Sequence, residues 1–243
     1  MEPVNPKFIP EEGLETEEMN QLQREIAEKA VFHNQIDFQP EDIEEKTVVG
    51  IDQAFLDDQI LSGAVVLRDG EVIEKEYVLE ETPLPYIPGL LAFREGHSIV
   101  SVLEKLEAEP DLLILDGSGR IHFREAGIAT HIGVIFDIPA LGIAKNLLCG
   151  DPVSDISELD KGEKVAIKAD DRVETYNGVI GYAVQTKQYS SSYGINPVYV
   201  SPGHRLGEET AAEIALQFAG DYKLPRPTYE ADKYVDEVKK EVI

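Results

Sequence analysis

The stretch TVVGIDQAFLDDQILSGAVVLRDGEVIEKEYVLEE, residues 47–81, sets the reading of this chain. It divides into TVVGIDQAF, ILSGAVVLRDG and EVIEKEYVLEE, three runs with the period of strands, parted by the turn pairs Asp57-Asp58 and Asp69-Gly70. They predict a three-stranded meander that opens a sheet. After it the period changes: SIVSVLEKLEAE is helical, DLLILD is a short buried strand, AGIATHIGVIFD can be a helix and PALGIAK another strand. Antiparallel strands followed by helix–strand alternation predict an α/β domain with a mixed central β-sheet flanked by helices.

The flanks read more simply. Residues 1–14 are polar and proline-dotted, the pattern of a loose arm. Thr16, Glu17 and Glu18 can start an amphipathic helix running to about Ala30. Beyond Asp151 the pattern predicts strands near 164–168 and 178–186, a serine- and tyrosine-rich loop, the strand NPVYVSPGH and a helix over about 208–219. Residues 229–243 read as a charged surface tail, which leaves 15–228 as the folded domain.

Composition excludes several classes. With 42% hydrophobic and 28% charged residues over 243 positions, the chain has the proportions of a globular domain. No apolar run is long enough to span a bilayer and no signal-peptide pattern opens the chain, so a cytoplasmic, membrane-free protein is expected. Cys149 is the single cysteine, which rules out a disulfide framework and a cysteine-based zinc site. A formal net charge of -25 opposes phosphate backbones at long range, so binding nucleic acid would need metal ions or a local basic patch. The same acidity is also what a heavily solvated surface in a saline cytoplasm would carry.

Carboxylates fall at informative places. Asp52 closes the buried run VVGID and Asp116 closes DLLILD just before Gly117. If the two strands are neighbours, both acids emerge at one sheet edge, where open α/β sheets bind ligands, and paired hard oxygens suit Mg²⁺ or Mn²⁺. Each aspartate alone has an ordinary reading as a turn or cap residue. Glu95 stands just ahead of the helix predicted from Ser98, where it could be a third ligand, complement the helix dipole or pair with Arg94. Four of the five histidines, His97, His122, His131 and His204, lie in or beside these segments. Lys145 closes LGIAK, as a solvated cation or a phosphate contact.

Five ordered blocks, VVGIDQAF, PYIPGLLAFRE, DLLILDGSGRIHFREAGIATHIGV, LGIAKNLLCG and VSPGHRLGEETA, resemble the endonuclease V family over about Gln23 to Thr228. The resemblance implies an RNase H-like fold with Asp52, Glu95 and Asp116 binding Mg²⁺, Mn²⁺ being a substitute. It implies that His204 completes the metal environment, that Lys145 lies near the scissile phosphate and that His122 is a backbone or active-site contact. Pro85, Tyr86, Ile87 and Pro88 would form a stiff wedge whose tyrosine fills the gap left by an everted base. Gly89, Leu91, Gly117, Ile128, Gly142 and Leu148 would line the pocket that receives it. The implied activity is metal-assisted hydrolysis of DNA or RNA containing inosine, at the second phosphodiester 3′ to the lesion, by a protein that is often a monomer. Ser118, Phe123 and Asn146 depart from the family's usual residues and bear on substrate preference. A non-cleaving inosine-binding protein and another RNase H-like nuclease are the competing readings.

Overall fold

The computed structural model describes residues 1–11, 13–188, 196–220 and 222–242. The predicted serine- and tyrosine-rich loop lies largely outside the described residues.

The meander forms as predicted, from β1 (Val48–Leu56), β2 (Gln59–Arg68) and β3 (Glu71–Glu81). Between β2 and β3 both turn residues, Asp69 and Gly70, have positive φ (52° and 70°), the backbone of a tight hairpin whose twist matches its strands. β4 (Leu112–Asp116), β5 (Ala140–Ala144), β6 (Asp151–Pro152), β7 (Lys164–Lys168), β8 (Val179–Val184) and β9 (Val198–His204) complete a mixed sheet in the order β3-β2-β1-β4-β5-β9-β8-β7-β6. Only the central pairs β1–β4 and β4–β5 are parallel among the described pairings.

Alternation along the strands divides the core in two. Val49, Ile51, Leu113 and Leu115 pack on one face against α1 (Thr16–Lys29), α2 (Leu91–Lys105) and α3 (Ile128–Phe136). Val48, Leu112, Ile114, Leu141 and Ile143 face α4 (Glu208–Gln217), while Leu61, Val65 and Leu67 meet α5 (Arg226–Val242). Helices on both faces of a sheet that is parallel at its centre make this an α/β fold with a mixed central sheet, the architecture expected of the RNase H-like fold that the resemblance implies.

Three expectations need correction. Residues 226–242 are a helix rather than a surface tail, because Pro227, Thr228, Ala231, Val235 and Val238 recur at helical spacing and bury one stripe among the charges. That stripe lies directly on β1: a Cβ at Gly50 would stand 2.0 Å from the Pro227 carbonyl oxygen. Nor is the amino-terminal segment loose. Phe8 is buried, the backbone of Val4 and Asn5 donates to the Ile135 carbonyl, and His131 Nε2 donates to the Phe8 carbonyl at 2.7 Å. Finally, α2 starts at Leu91 instead of Ser98, since Ala92, Phe93, Ile99, Val102 and Leu103 share its buried face. Glu95 therefore lies inside the helix, not ahead of it. None of the described helices is long and apolar enough to cross a membrane.

Candidate active site

Strand register creates the site. Ile51 pairs with Leu115 across the parallel β1–β4 ladder, so the next residues, Asp52 and Asp116, stand side by side on the same face. Asp116 ends β4, whereas Asp52 lies within β1, paired with Gly63 of β2, rather than at a strand end as its place after VVGI suggested. On β4's other flank Asp116 pairs with Ile143 of β5, and Lys145 follows two residues later with the same parity. The Lys145 Nζ lies 3.0 Å from Asp116 Oδ2. From α2, Glu95 reaches this edge as a buried carboxylate. A fourth acid, Asp232 of α5, brings Oδ1 to 4.0 Å from the same lysine ammonium. Asp232 was missed from the sequence because its helix read as a tail; the stripe around it, Thr228, Ala231 and Val235, was the available signal.

The electrostatics of the cluster are those of too many acids for one ammonium. Burial raises the Asp52 pKa to about 8, and Asp116 and Asp232 push it the same way. Burial also lifts Glu95 to about 8, with Arg94 opposing and Asp116 reinforcing. Burial works against the charge on Lys145, yet Asp116, Asp52 and Asp232 outweigh it and raise its pKa. Hard oxygen donors short of positive charge fit a divalent cation of the Mg²⁺ or Mn²⁺ type. Among the described residues, no three of these side chains already close on one point as a finished coordination sphere. Lys145, bonded to Asp116, occupies part of the role a cation would take.

Asp52, Glu95 and Asp116 open into a cleft of about 490 Å³, lined on its other walls by Gly89, Leu91, Gly117, His122, Ile128 and Leu148. Gly117 has φ of 139°, and a Cβ there would come within 2.6 Å of Ile128, so the turn after Asp116 lies tight against the start of α3. Gly142 does not line the cleft. It lies beneath that turn, where a Cβ would stand 2.3 Å from the Gly117 carbonyl oxygen, so its role is to let the turn cross β5. His122 is buried and its pKa falls to about 4, chiefly through burial. The neutral ring donates from Nε2 to the Gly89 carbonyl at 2.9 Å and accepts the Arg124 backbone N–H at Nδ1. Gln23 Nε2 donates to the same carbonyl, so the cleft wall at Gly89 is braced from two elements.

Over the mouth stands the loop carrying Pro85, Tyr86, Ile87 and Pro88, all exposed, with Tyr86 60% exposed. Its base is anchored where Leu84 packs with buried Leu90 and Phe93. Tyr86 is thus presented to solvent rather than packed in the core.

His204 does not join the carboxylates. It pairs with Ala140 at the start of β5, whereas Asp116 pairs with Ile143 near that strand's end, so three residues of strand, about 10 Å, intervene. Its Nδ1 accepts the Val31 N–H at 3.2 Å and its Nε2 donates to Asp137 at 3.0 Å. Both nitrogens serve this buried tie, and burial lowers the pKa despite Asp137. His97 is exposed and pairs with Glu80, and His131 secures Phe8; of the four histidines only His122 lines the cleft. Ser118 and Asn146 also line it, while Phe123 packs behind Gly89.

Acids gathered where β4 ends beside the middle of β1 in an RNase H-like sheet, with a lysine among them and an open cleft beside them, define a nuclease of that fold. The family model for endonuclease V matches residues 30–233, and the chain belongs to that family. It is 51% identical over 242 residues to the endonuclease V of Natronomonas pharaonis, covering 98% of each chain. The crystal structure of endonuclease V from Streptomyces avermitilis superposes with a TM-score of 0.80 at 29% identity, covering 94% of each chain. Endonuclease V of Ciona intestinalis, solved in complex with a 24mer DNA containing an inosine followed by a ribo-adenosine, gives a TM-score of 0.76 at 26% identity, covering 93% of this chain and 98% of that one.

Proposed function

We propose that this protein is a divalent-metal-dependent endonuclease that recognises inosine in DNA or RNA and hydrolyses the second phosphodiester on its 3′ side, leaving 5′-phosphate and 3′-hydroxyl ends. The observation that carries the reading is the pairing of an exposed, loop-borne Tyr86 with a cleft whose floor holds Asp52, Glu95, Asp116 and Lys145. The inosine-bearing DNA on the Ciona relative supports the choice of lesion.

Asp52, Glu95, Asp116 and Asp232 would hold Mg²⁺, with Mn²⁺ as a substitute; when bound, the ion polarises the phosphate and makes its water acidic enough to act as nucleophile. The chain's own groups do the rest. Eversion of a base costs a few kcal/mol of stacking, and a tyrosine ring inserted in its place returns about 1–3 kcal/mol. Flanking prolines restrict the wedge before binding, so little ordering entropy is lost. Gly89, Leu91, Gly117, Ile128 and Leu148 form a close wall for the extruded base, and the bonds from His122 and Gln23 to the Gly89 carbonyl keep that wall in position. Lys145 is placed to transfer its ion pair from Asp116 to the scissile phosphate, which places positive charge where the transition state gains negative charge.

End-labelled single-stranded DNA and RNA, each with one inosine or none, incubated with Mg²⁺ or with EDTA, test the proposal. A metal-dependent cut one nucleotide beyond inosine, absent in Asp52→Ala, is the expected result. Inosine-dependent binding without cleavage under every metal condition would overturn it.

A further inference from the structure

Arginine use in this chain is uneven in one respect. Of its eight arginines, Arg24, Arg120, Arg124, Arg172, Arg205 and Arg226 lie within 4 Å of a carboxylate, and Arg68 donates to Thr47 Oγ1. Arg94 has neither kind of partner among the described residues, and its Nε is buried without an acceptor. With 47 acidic residues in the sequence, an unpaired arginine is not explained by scarcity of partners.

Its surroundings hold it where it is. The guanidinium carbon lies 3.8 Å from the Phe55 ring centroid and 6.0 Å from that of Tyr86. Phe55 is on β1, and Gln53, two residues earlier, points to the same face. Gln53 Nε2 is a second buried donor with no acceptor. Gln53, Phe55 and Tyr86 line the cleft together with Asp52 and Glu95. Two elements therefore bring unsatisfied N–H groups, one of them cationic, to the foot of the wedge, and buried donors of this kind are normally paired.

The missing partner must supply acceptors and negative charge without donors. A base edge carries both donors and acceptors, whereas a phosphodiester carries acceptors and charge alone, and a guanidinium matches it with two parallel hydrogen bonds. We propose that Arg94 and Gln53, backed by Phe55, form a second phosphate subsite, which holds the phosphodiester next to the gap filled by Tyr86. The inference rests on the reading of the chain as an inosine-directed nuclease. This subsite is distinct from the scissile phosphate's contact at Lys145, because β4 separates β1 from β5 and the two flanks are about 10 Å apart.

The test uses binding of a single-stranded inosine oligonucleotide, with Ca²⁺ replacing Mg²⁺ and each phosphate in turn made a neutral methylphosphonate. Wild type should lose affinity about tenfold when the phosphate beside the wedge is neutralised, the loss of one charge-assisted hydrogen-bond pair. In Arg94→Met that position should become silent while the others keep their effect, and Gln53→Met should weaken the same position only. Identical profiles in wild type and both variants would overturn the subsite. Should Arg94→Met not fold, Arg94→Lys replaces it, retaining charge without the fork, and a wild-type profile there and in Gln53→Met overturns the proposal equally. Equal binding of inosine and adenosine oligonucleotides, with the coupling to Arg94 intact, overturns the functional reading alone.

Discussion

At the scale of single residues, the structure separates acids gathered at the cleft from a histidine that braces the fold. His204→Ala removes a buried ring bonded to Val31 and Asp137 and should cost about 1–3 kcal/mol of stability while folded molecules keep their cleavage rate. Asp232→Ala should do the opposite: cleavage is lost and the melting temperature is unchanged or higher, since one repelling carboxylate is gone from the Asp52 environment. Melting curves and single-turnover cleavage of the two variants decide between this assignment and its reverse. Tyr86→Ala should weaken inosine binding by about 1–3 kcal/mol and leave the fold untouched, because the ring is exposed; anisotropy with inosine and adenosine strands measures it. His131 gives a signed pH effect. Burial lowers its pKa from 6.5 to about 4, so the fold refuses a proton that the unfolded chain accepts. Its contribution is full above pH 6.5 and fades as pH falls towards 4, a difference of roughly 3 kcal/mol. Relative to His131→Gln, which cannot titrate, wild type should lose that much stability between pH 7 and pH 4 in denaturant titrations.

At the scale of elements, the contact between α5 and β1 joins stability to chemistry. Gly50 has no room for a methyl group, since the Pro227 carbonyl stands 2.0 Å from where the Cβ would be. Gly50→Ala must lift the start of the helix that carries Asp232, at about 1–3 kcal/mol for the overpacking. A fall in melting temperature accompanied by a larger fall in cleavage of the folded fraction is expected; cleavage unchanged at lowered stability would show that the position of α5 does not matter. The strands β1 to β5 were legible because Val, Ile and Leu alternate or run between turn residues such as Asp69-Gly70. The start of α2 and the whole of α5 were not. PYIPGLL looks like loop as far as the helix begins, and in α5 charged residues outnumber the narrow apolar stripe that buries it.

For the whole molecule, the net charge of -25 shapes how substrate is captured. Among the described residues Lys145 is the one cation lining the cleft, with Arg94 beside it near Tyr86, so binding releases few counterions. With about 0.7 in logarithmic slope per neutralised phosphate of a single strand, the salt dependence of affinity should be near -1.5. A slope steeper than about -4, measured with Ca²⁺ held constant, would require a wider basic footprint than the cleft offers. Added monovalent salt should also raise the melting temperature by screening repulsion among the surface acids.

By itself the sequence determined the strand-then-alternation order, hence the fold class, and placed Asp116 at a strand end, because local period and turn chemistry need only neighbouring residues; Asp52, read as a strand end, lies within β1. The resemblance to a family's motif blocks, rather than local period, pointed to Tyr86, Glu95 and Lys145. Only the tertiary structure decided which acids share an edge. Register set Asp52 beside Asp116, packing on Gly50 delivered Asp232 from the far end of the chain, and strand direction carried His204 about 10 Å away to the other end of β5. The physical reason is that a side chain's identity is local, whereas its neighbours across a sheet are fixed by pairing and direction between strands distant in sequence.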